Sequence, residues 1–100
     1  MSTLPQELRQ VLKTKAHQLK PIVMIGGKGL SESVHVEITR ALHDHELIKI
    51  RLSGADRDAR KAMIADICLT HQAAIVSQIG HVVTIYKKRE DDKGGKSSIF

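Results

Sequence analysis

Three glycines in four positions, directly after a short apolar run, constrain this chain more than any other stretch. Residues 21–25 are Pro-Ile-Val-Met-Ile, and Gly26, Gly27 and Gly29 follow. The apolar run predicts a short buried strand. The glycines permit a sharp turn or the close approach of another backbone. Ser31 can then cap a helix, so the segment predicts a strand, a GxxG loop and a helix.

The same loop has the features of an anion site. Lys28 places a positive charge at its tip, and the free N–H groups of a helix N-terminus follow, an arrangement that suits a phosphate. A P-loop is excluded because Gly29 stands where Ser or Thr would follow the lysine, and the dinucleotide fingerprint GxGxxG is also absent. The alternatives are a tight turn without a ligand and a loop similar to the one with which KH domains clamp a nucleic-acid backbone.

The other periodicities predict the element order αβαβαββ. Apolar residues at helical spacing predict a first helix to about Leu19, with Ser2 or Thr3 as its cap and Pro5 in its first turn. Two more helices are expected from Ser31 to about His45 and from about Asp56 to near His71. Alternation or β-rich composition predicts the remaining strands at 47–52, 74–79 and 82–86. The expected fold is an α/β (α+β sandwich) domain with a four-stranded mixed sheet and at least two helices on a common face.

The apolar stripes identify the residues expected in the core. The first helix should pack through Leu8, Val11, Leu12 and Leu19, with Ala16 at the margin, and the third through Ala59, Met63, Ile64 and Ile67. In the strand at 47–52, Ile48, Ile50 and Leu52 should face the core, while Lys49 and Arg51 face the other side.

Charge points to a polyanionic partner. The chain has 16 Lys and Arg against 11 Asp and Glu, a formal net charge of +5, which favours such a partner without proving one. Arg9, Lys13, His17 and Lys20 fall beside the apolar stripe of the first helix, although solvated surface lysines would give the same pattern. Only two aromatic rings besides histidine are present, so contacts to RNA should go to phosphate and ribose rather than to stacked bases.

The sequence lacks the residues that a disulfide, a metal site or a catalytic nucleophile would need. Cys68 is the only cysteine, which excludes an internal disulfide and suits a reducing cytosol. Cys68 and His71 lack the second pair of a zinc site, and no nucleophile with a base is apparent, so we expect no metal, no cofactor and no catalysis. No signal peptide or membrane span is recognisable, and we expect a cytoplasmic protein.

The chain resembles a known family over about residues 5–87. The resemblance rests on the run His17-Gln18-Leu19-Lys20-Pro21-Ile22-Val23-Met24-Ile25-Gly26-Gly27-Lys28-Gly29-Leu30-Ser31 and on Val34, Glu37, Ile38, Ala41-Leu42 and His45 to Ile50. It is similar to the CRM domain (chloroplast RNA splicing and ribosome maturation) in its short bacterial YhbY-like form. The resemblance implies a fold like the C-terminal domain of translation initiation factor three, with an added N-terminal helix. It also implies an RNA-binding protein that associates with ribosomal RNA in precursors of the large ribosomal subunit.

The expected RNA-binding residues combine the resemblance with the charge pattern. They are Gly26, Gly27, Lys28, Gly29, Lys20, Lys13, Arg9, Lys49 and Arg51. We expect one domain over residues 1–87, acting as a monomer without a small-molecule substrate, and a disordered charged tail over 88–100. Two alternatives remain open. An enzyme for a phosphorylated metabolite would need a convergent catalytic pocket, and a protein-interaction adaptor without intrinsic RNA specificity would use an apolar patch on the third helix or a sheet edge.

Overall fold

The computed structural model describes residues 4–27 and 29–88, and within them the predicted order αβαβαββ is confirmed. The helices are α1 (Gln6–Ala16), α2 (Glu32–His45) and α3 (Arg57–His71). The strands are β1 (Val23–Ile25), β2 (Leu47–Leu52), β3 (Ala74–Ile79) and β4 (Val82–Tyr86). The expected tail from residue 89 onward and the proposed caps Ser2 and Thr3 lie outside the described residues.

The four strands form one mixed sheet in the order β1-β2-β4-β3. β1 runs parallel to β2, whereas β4 is antiparallel to both β2 and β3. The β3–β4 hairpin turns at Gly80, whose φ of +58° is the value that the first central residue of a type II′ turn requires. β1 and β3 are therefore the two edges of the sheet.

The larger core lies between the sheet and the layer formed by α2 and α3. Ile48, Ile50 and Leu52 of β2 point into it and are fully buried, as the alternation predicted. Side-chain caps position both helices: Val34 N–H donates to Ser31 Oγ (3.3 Å), and Ala59 N–H donates to an Asp56 carboxylate oxygen (2.7 Å).

A smaller core lies on the opposite face of the sheet, beneath α1. Leu12 is fully buried there and Ala16 almost so, against Leu47, Val76 and Tyr86. These three sheet residues lie toward one end of their strands. α1 therefore covers only part of its face, and the rest of that face has no helix over it.

The predicted stripe of α1 is partly wrong. The helix ends at Ala16 rather than near Leu19, because the chain tightens into i to i−3 hydrogen bonds at Gln18 and Leu19 ahead of Pro21. Leu19 is consequently 38% exposed, and Val11, on the outer side of the helix, is 43% exposed. At the other end, Pro5 occupies the N-cap position instead of the first turn.

Two further expectations of burial need correction. The apolar run before the glycines predicted a buried strand, but β1 is only half-buried, and Met24 is 63% exposed. The reason is that β1 is an edge strand and α1 does not reach over it. Ile22 precedes the strand and is also exposed. On α3, Ala59 is exposed, while Cys68 and His71 complete the buried stripe.

A pair of imidazoles joins α2 to α3. His35 Nδ1 lies 2.9 Å from His71 Nε2, and Thr39 Oγ1 lies 3.4 Å from His71 Nδ1. Burial lowers the pKa of His71, as do the positive charges of His35 and Lys87 to a lesser degree, and Asp66 opposes them. Burial raises the pKa of the Cys68 thiol, which makes it less reactive.

Candidate nucleic-acid interface

The uncovered part of the sheet face beneath α1 carries the cations of β2. Lys49 lies opposite Thr84 of β4, and Arg51 lies between Val82 of β4 and Met24 of β1. We call this surface the open face and define it by its seven side chains: Met24, Lys49, Arg51, Ser77, Ile79, Val82 and Thr84.

A groove of about 580 Å³ separates α1 from the open face. Lys13 and His17 line it from the helix side, and Lys49 lines it from the sheet. Its other lining residues are Ala16, Pro21, Ser77, Gln78, Ile79, Val82 and Thr84. None of the ten is acidic, so the charged side chains that line the groove are all basic.

The cations around the groove are available to an outside partner. Within the described residues, Lys13, Lys49 and Arg51 form no ion pair. Arg9 lies one helical turn before Lys13, and its buried Nε has no hydrogen-bond partner. Because no carboxylate of residues 4–27 or 29–88 pairs with Lys13, Lys49 or Arg51, their charges can attract a polyanion.

The GxxG loop adjoins the open face at the carboxyl end of β1. Its backbone closes as a turn in which Gly29 N–H donates to the Gly26 carbonyl (3.0 Å), and Gly29 has a φ of +72°. That backbone conformation favours glycine, because a Cβ is disfavoured at positive φ. Arg51 precedes Leu52, which is paired with Ile25 at the start of this loop, so the cations of the open face continue to the loop. Lys28 lies outside the described residues.

A second loop supports the first. Ser53 N–H donates to the Ile25 carbonyl at 2.8 Å, which ties the end of β1 to the segment after β2. A Cβ on Gly54 would lie 3.9 Å from the Gly27 Cα, so the two loops are in contact distance of each other. The turns that lead into α2 and α3 therefore lie side by side at one end of the sheet.

The structure brings most, but not all, of the predicted RNA-binding residues close together. It brings Lys13, Lys49 and Arg51 to one surface, with Arg9 beside them. Gly26, Gly27 and Gly29 lie at the adjoining edge. Lys20 is separate: it lines another groove of about 430 Å³, together with Lys15, Leu19 and Ile22.

Sequence reasoning missed the contribution of β3 and β4. Ser77, Ile79, Val82 and Thr84 share the face of Lys49, and Ile79 is 76% exposed. The alternation of Ser77 with Ile79, and of Val82 with Thr84, was visible in the sequence. Which side of the sheet these residues occupy depends on the strand order and on the register shift between Ile75 and Ser77.

Among residues 4–27 and 29–88, no three His, Cys, Asp or Glu side chains gather as ligands for a metal ion. In the same part of the chain, no helix is long and apolar enough to cross a membrane.

Comparisons with known proteins agree on one family. The model of the CRS1/YhbY (CRM) domain matches residues 4–87. An RNA-binding protein of Haemophilus influenzae is 45% identical over 93 residues, which are 93% of this chain and 94% of that protein. A protein of Pseudomonas aeruginosa, named as a probable RNA-binding protein, is 38% identical over 96% of this chain and 92% of its own length.

The fold is found in a solved structure as well. The solution structure of a Staphylococcus aureus protein superposes with a TM-score of 0.77 at 25% identity, over 95% of this chain and 99% of that one. With the family model spanning nearly all the described residues and two relatives well above 30% identity, this chain belongs to the CRS1/YhbY (CRM) domain family.

Proposed function

We propose that this protein binds RNA through the open face, the basic flank of α1 and the GxxG loop. The observation that carries the proposal is that Lys13 and Lys49 line one groove and that Arg51 lies on the same face of the sheet as Lys49, next to the GxxG loop. None of the three forms an ion pair among the described residues. The names of the relatives from H. influenzae and P. aeruginosa support the same partner.

The chemistry of the surface favours contacts to the RNA backbone. Lysine is a compact, hydrated point charge that suits a phosphate and carries little base information. The hydroxyl group of Ser77, which is partly exposed, can donate to or accept from a ribose 2′-OH. Tyr86 is buried beneath α1, so the described surface has no Phe, Tyr or Trp ring on which a base could stack. The GxxG loop adds a close-approach point for a phosphate, and we assign Lys28 to it.

The finer proposal is that the RNA is ribosomal RNA in precursors of the large ribosomal subunit. This follows from the family, whose short bacterial members the chain resembles along its whole described length. In this proposal the protein acts in the cytoplasm as a monomer. It stabilises an RNA fold by binding and performs no chemistry, so it needs neither a cofactor nor a small-molecule substrate.

The experiment is crosslinking in bacterial cells, followed by sequencing of the bound RNA and sedimentation of ribosomal particles. We expect ribosomal RNA to dominate the crosslinks and the protein to sediment with large-subunit precursors. The triple variant Lys13→Gln, Lys49→Gln, Arg51→Gln should lose both signals. A matched control removes three exposed cations from the helical layer, Arg40→Gln, Arg57→Gln and Lys61→Gln, and should keep them. Crosslinks dominated by other RNA classes would refute the ribosomal assignment alone.

The adaptor hypothesis has one observation in its favour. Leu69 of α3 and Val36 of α2 are 69% and 56% exposed on the helical layer, away from the open face. An adaptor that bound its partner through Leu69 and Val36 would still sediment with ribosomal particles after the triple substitution. Its binding would also persist at high salt, because salt screens charge interactions and has little effect on an apolar interface. Contacts between lysine and phosphate, in contrast, weaken steeply as the salt concentration rises.

A further inference from the structure

The groove between α1 and the open face has two chemically different parts. Its helix-side rim and β2 wall carry Lys13 and Lys49. The part formed by β3 and β4 is uncharged and presents Ile79 and Val82, with Thr84 almost fully buried at the floor. A surface built only to hold phosphates would not need an exposed Ile79 and a half-buried Val82 beside its cations.

The aliphatic side chains of Ile79 and Val82 restrict which form of RNA fits. In a duplex the bases are stacked and paired, and the surface offered to a protein is phosphate, ribose and base edges. A duplex lying across the groove would leave Ile79, 76% exposed, against hydrated backbone. An unpaired nucleotide can instead turn its flat, weakly hydrated base toward the aliphatic side chains. Its flanking phosphates would then be placed toward the lysines.

The size of the groove agrees with that occupant. Its volume of about 580 Å³ falls within the range of about 300–1,000 Å³ that is typical of small-ligand sites. The absence of acidic residues among its lining complements the one negative charge that each nucleotide carries.

We propose that this groove receives one unpaired nucleotide of the bound RNA, with its base against Ile79 and Val82 and its flanking phosphates on Lys13 and Lys49. This inference rests on the proposed RNA-binding function and deepens it, because it names structured RNA with a bulged or flipped-out nucleotide as the preferred ligand. The accessible polar side chains near the nucleobase are Ser77 and Gln78, and the hydroxyl and the amide can each both donate and accept hydrogen bonds. The groove therefore tolerates any of the four bases.

The test compares two RNA hairpins that differ only by a single-nucleotide bulge in the stem. We expect the parent protein to bind the bulged hairpin about tenfold more tightly, a difference of about 1.4 kcal/mol. Ser77→Phe fills the groove without changing charge, and it should remove the preference, so that the variant binds the bulged and the paired hairpin with equal affinity. Exchanging the bulged base among the four nucleotides should change affinity by less than about threefold, or about 0.6 kcal/mol.

A second variant covers the case in which Ser77→Phe disturbs the fold. Ile79→Ala changes a side chain that is mostly in solvent, so the fold should be retained, and it should reduce the preference for the bulge. Leu69→Ala, which truncates an aliphatic side chain of similar exposure on α3 (69%), should not reduce this preference. Equal affinity of the parent for both hairpins, with steep salt dependence, would overturn the groove assignment and leave RNA binding intact. Failure to bind either hairpin in a salt-dependent manner would overturn the proposed function itself.

Discussion

Removing the two lysines that face each other across the groove should flatten the salt dependence of RNA binding by a defined amount. Lys13 and Lys49 lie on different elements, and neither forms an ion pair within the described residues. If each holds one phosphate, the double variant Lys13→Gln, Lys49→Gln loses about 1.4 to 1.8 from the slope of log affinity against log salt, at about 0.7 to 0.9 per contact. Between 50 and 200 mM salt, the parent's affinity should therefore fall roughly tenfold further than the variant's.

The assay is fluorescence anisotropy with one structured RNA at four or more salt concentrations. The matched control is Arg57→Gln, Lys61→Gln, which removes two exposed cations from α3 and leaves the groove unchanged. Both double variants reduce the net charge by the same amount, so a general loss of attraction would affect them equally. The groove assignment is refuted if the two variants have the same slope, or if the Lys13, Lys49 variant keeps the slope of the parent.

Three further predictions concern the loop, α1 and the histidine pair. Gly29→Val should destabilise the fold by roughly 1–2 kcal/mol, because Gly29 has a φ of +72°, and it should also weaken RNA binding. Gly26→Ala should leave the stability unchanged, because φ is not positive there and a Cβ meets open space. Urea unfolding measures the stability of both variants, and anisotropy measures their RNA affinity. Leu12→Ala, at a fully buried position, should lower the free energy of unfolding, measured with urea, by about 3 kcal/mol. Val11→Ala, at a half-exposed position of the same helix, should lower it by about 0.5 kcal/mol. Equal losses would contradict the packing of α1. Because the folded-state pKa of His71 lies below its ordinary value of 6.5, the unfolded chain binds protons more readily, so the free energy of unfolding should fall as pH drops below about 6.5. His71→Gln should reduce that dependence, and an unchanged pH profile would count against it.

Local chemistry was enough to predict the elements of this fold. The bounds of β2, β3 and β4 follow from alternation and from the Gly80 turn, and the starts of α2 and α3 follow from Ser31 and Asp56. These signals depend on residues a few positions apart, and on contacts between a side chain and the nearby backbone. They can therefore be recognised from the sequence without the tertiary structure.

The misjudged positions are those where burial depends on a distant element. Val11 and Leu12 are adjacent apolar residues of one helix, yet only Leu12 meets the sheet. Met24 lies in an apolar run but is exposed, because β1 is an edge strand that α1 does not cover. A helical wheel gives the width of the apolar stripe on a helix. How much of that stripe is buried depends on the surface of the sheet against which the helix packs.

The candidate interface divides in the same way. The sequence alone determined the GxxG loop, the basic flank of α1 and the outward side of Lys49 and Arg51, since glycine spacing, helical periodicity and strand alternation are properties of the chain itself. Long-range packing, in contrast, places α1 on the face opposite α2 and α3 and leaves it covering just one end of that face. That placement brings Lys13 to Lys49, leaves Lys20 in another groove, and adds Ser77, Ile79, Val82 and Thr84 from strands that lie far from the loop in sequence. The physical reason is that a groove is a relation between two packed elements, and the strand order that sets this relation is fixed by long-range burial rather than by any local signal.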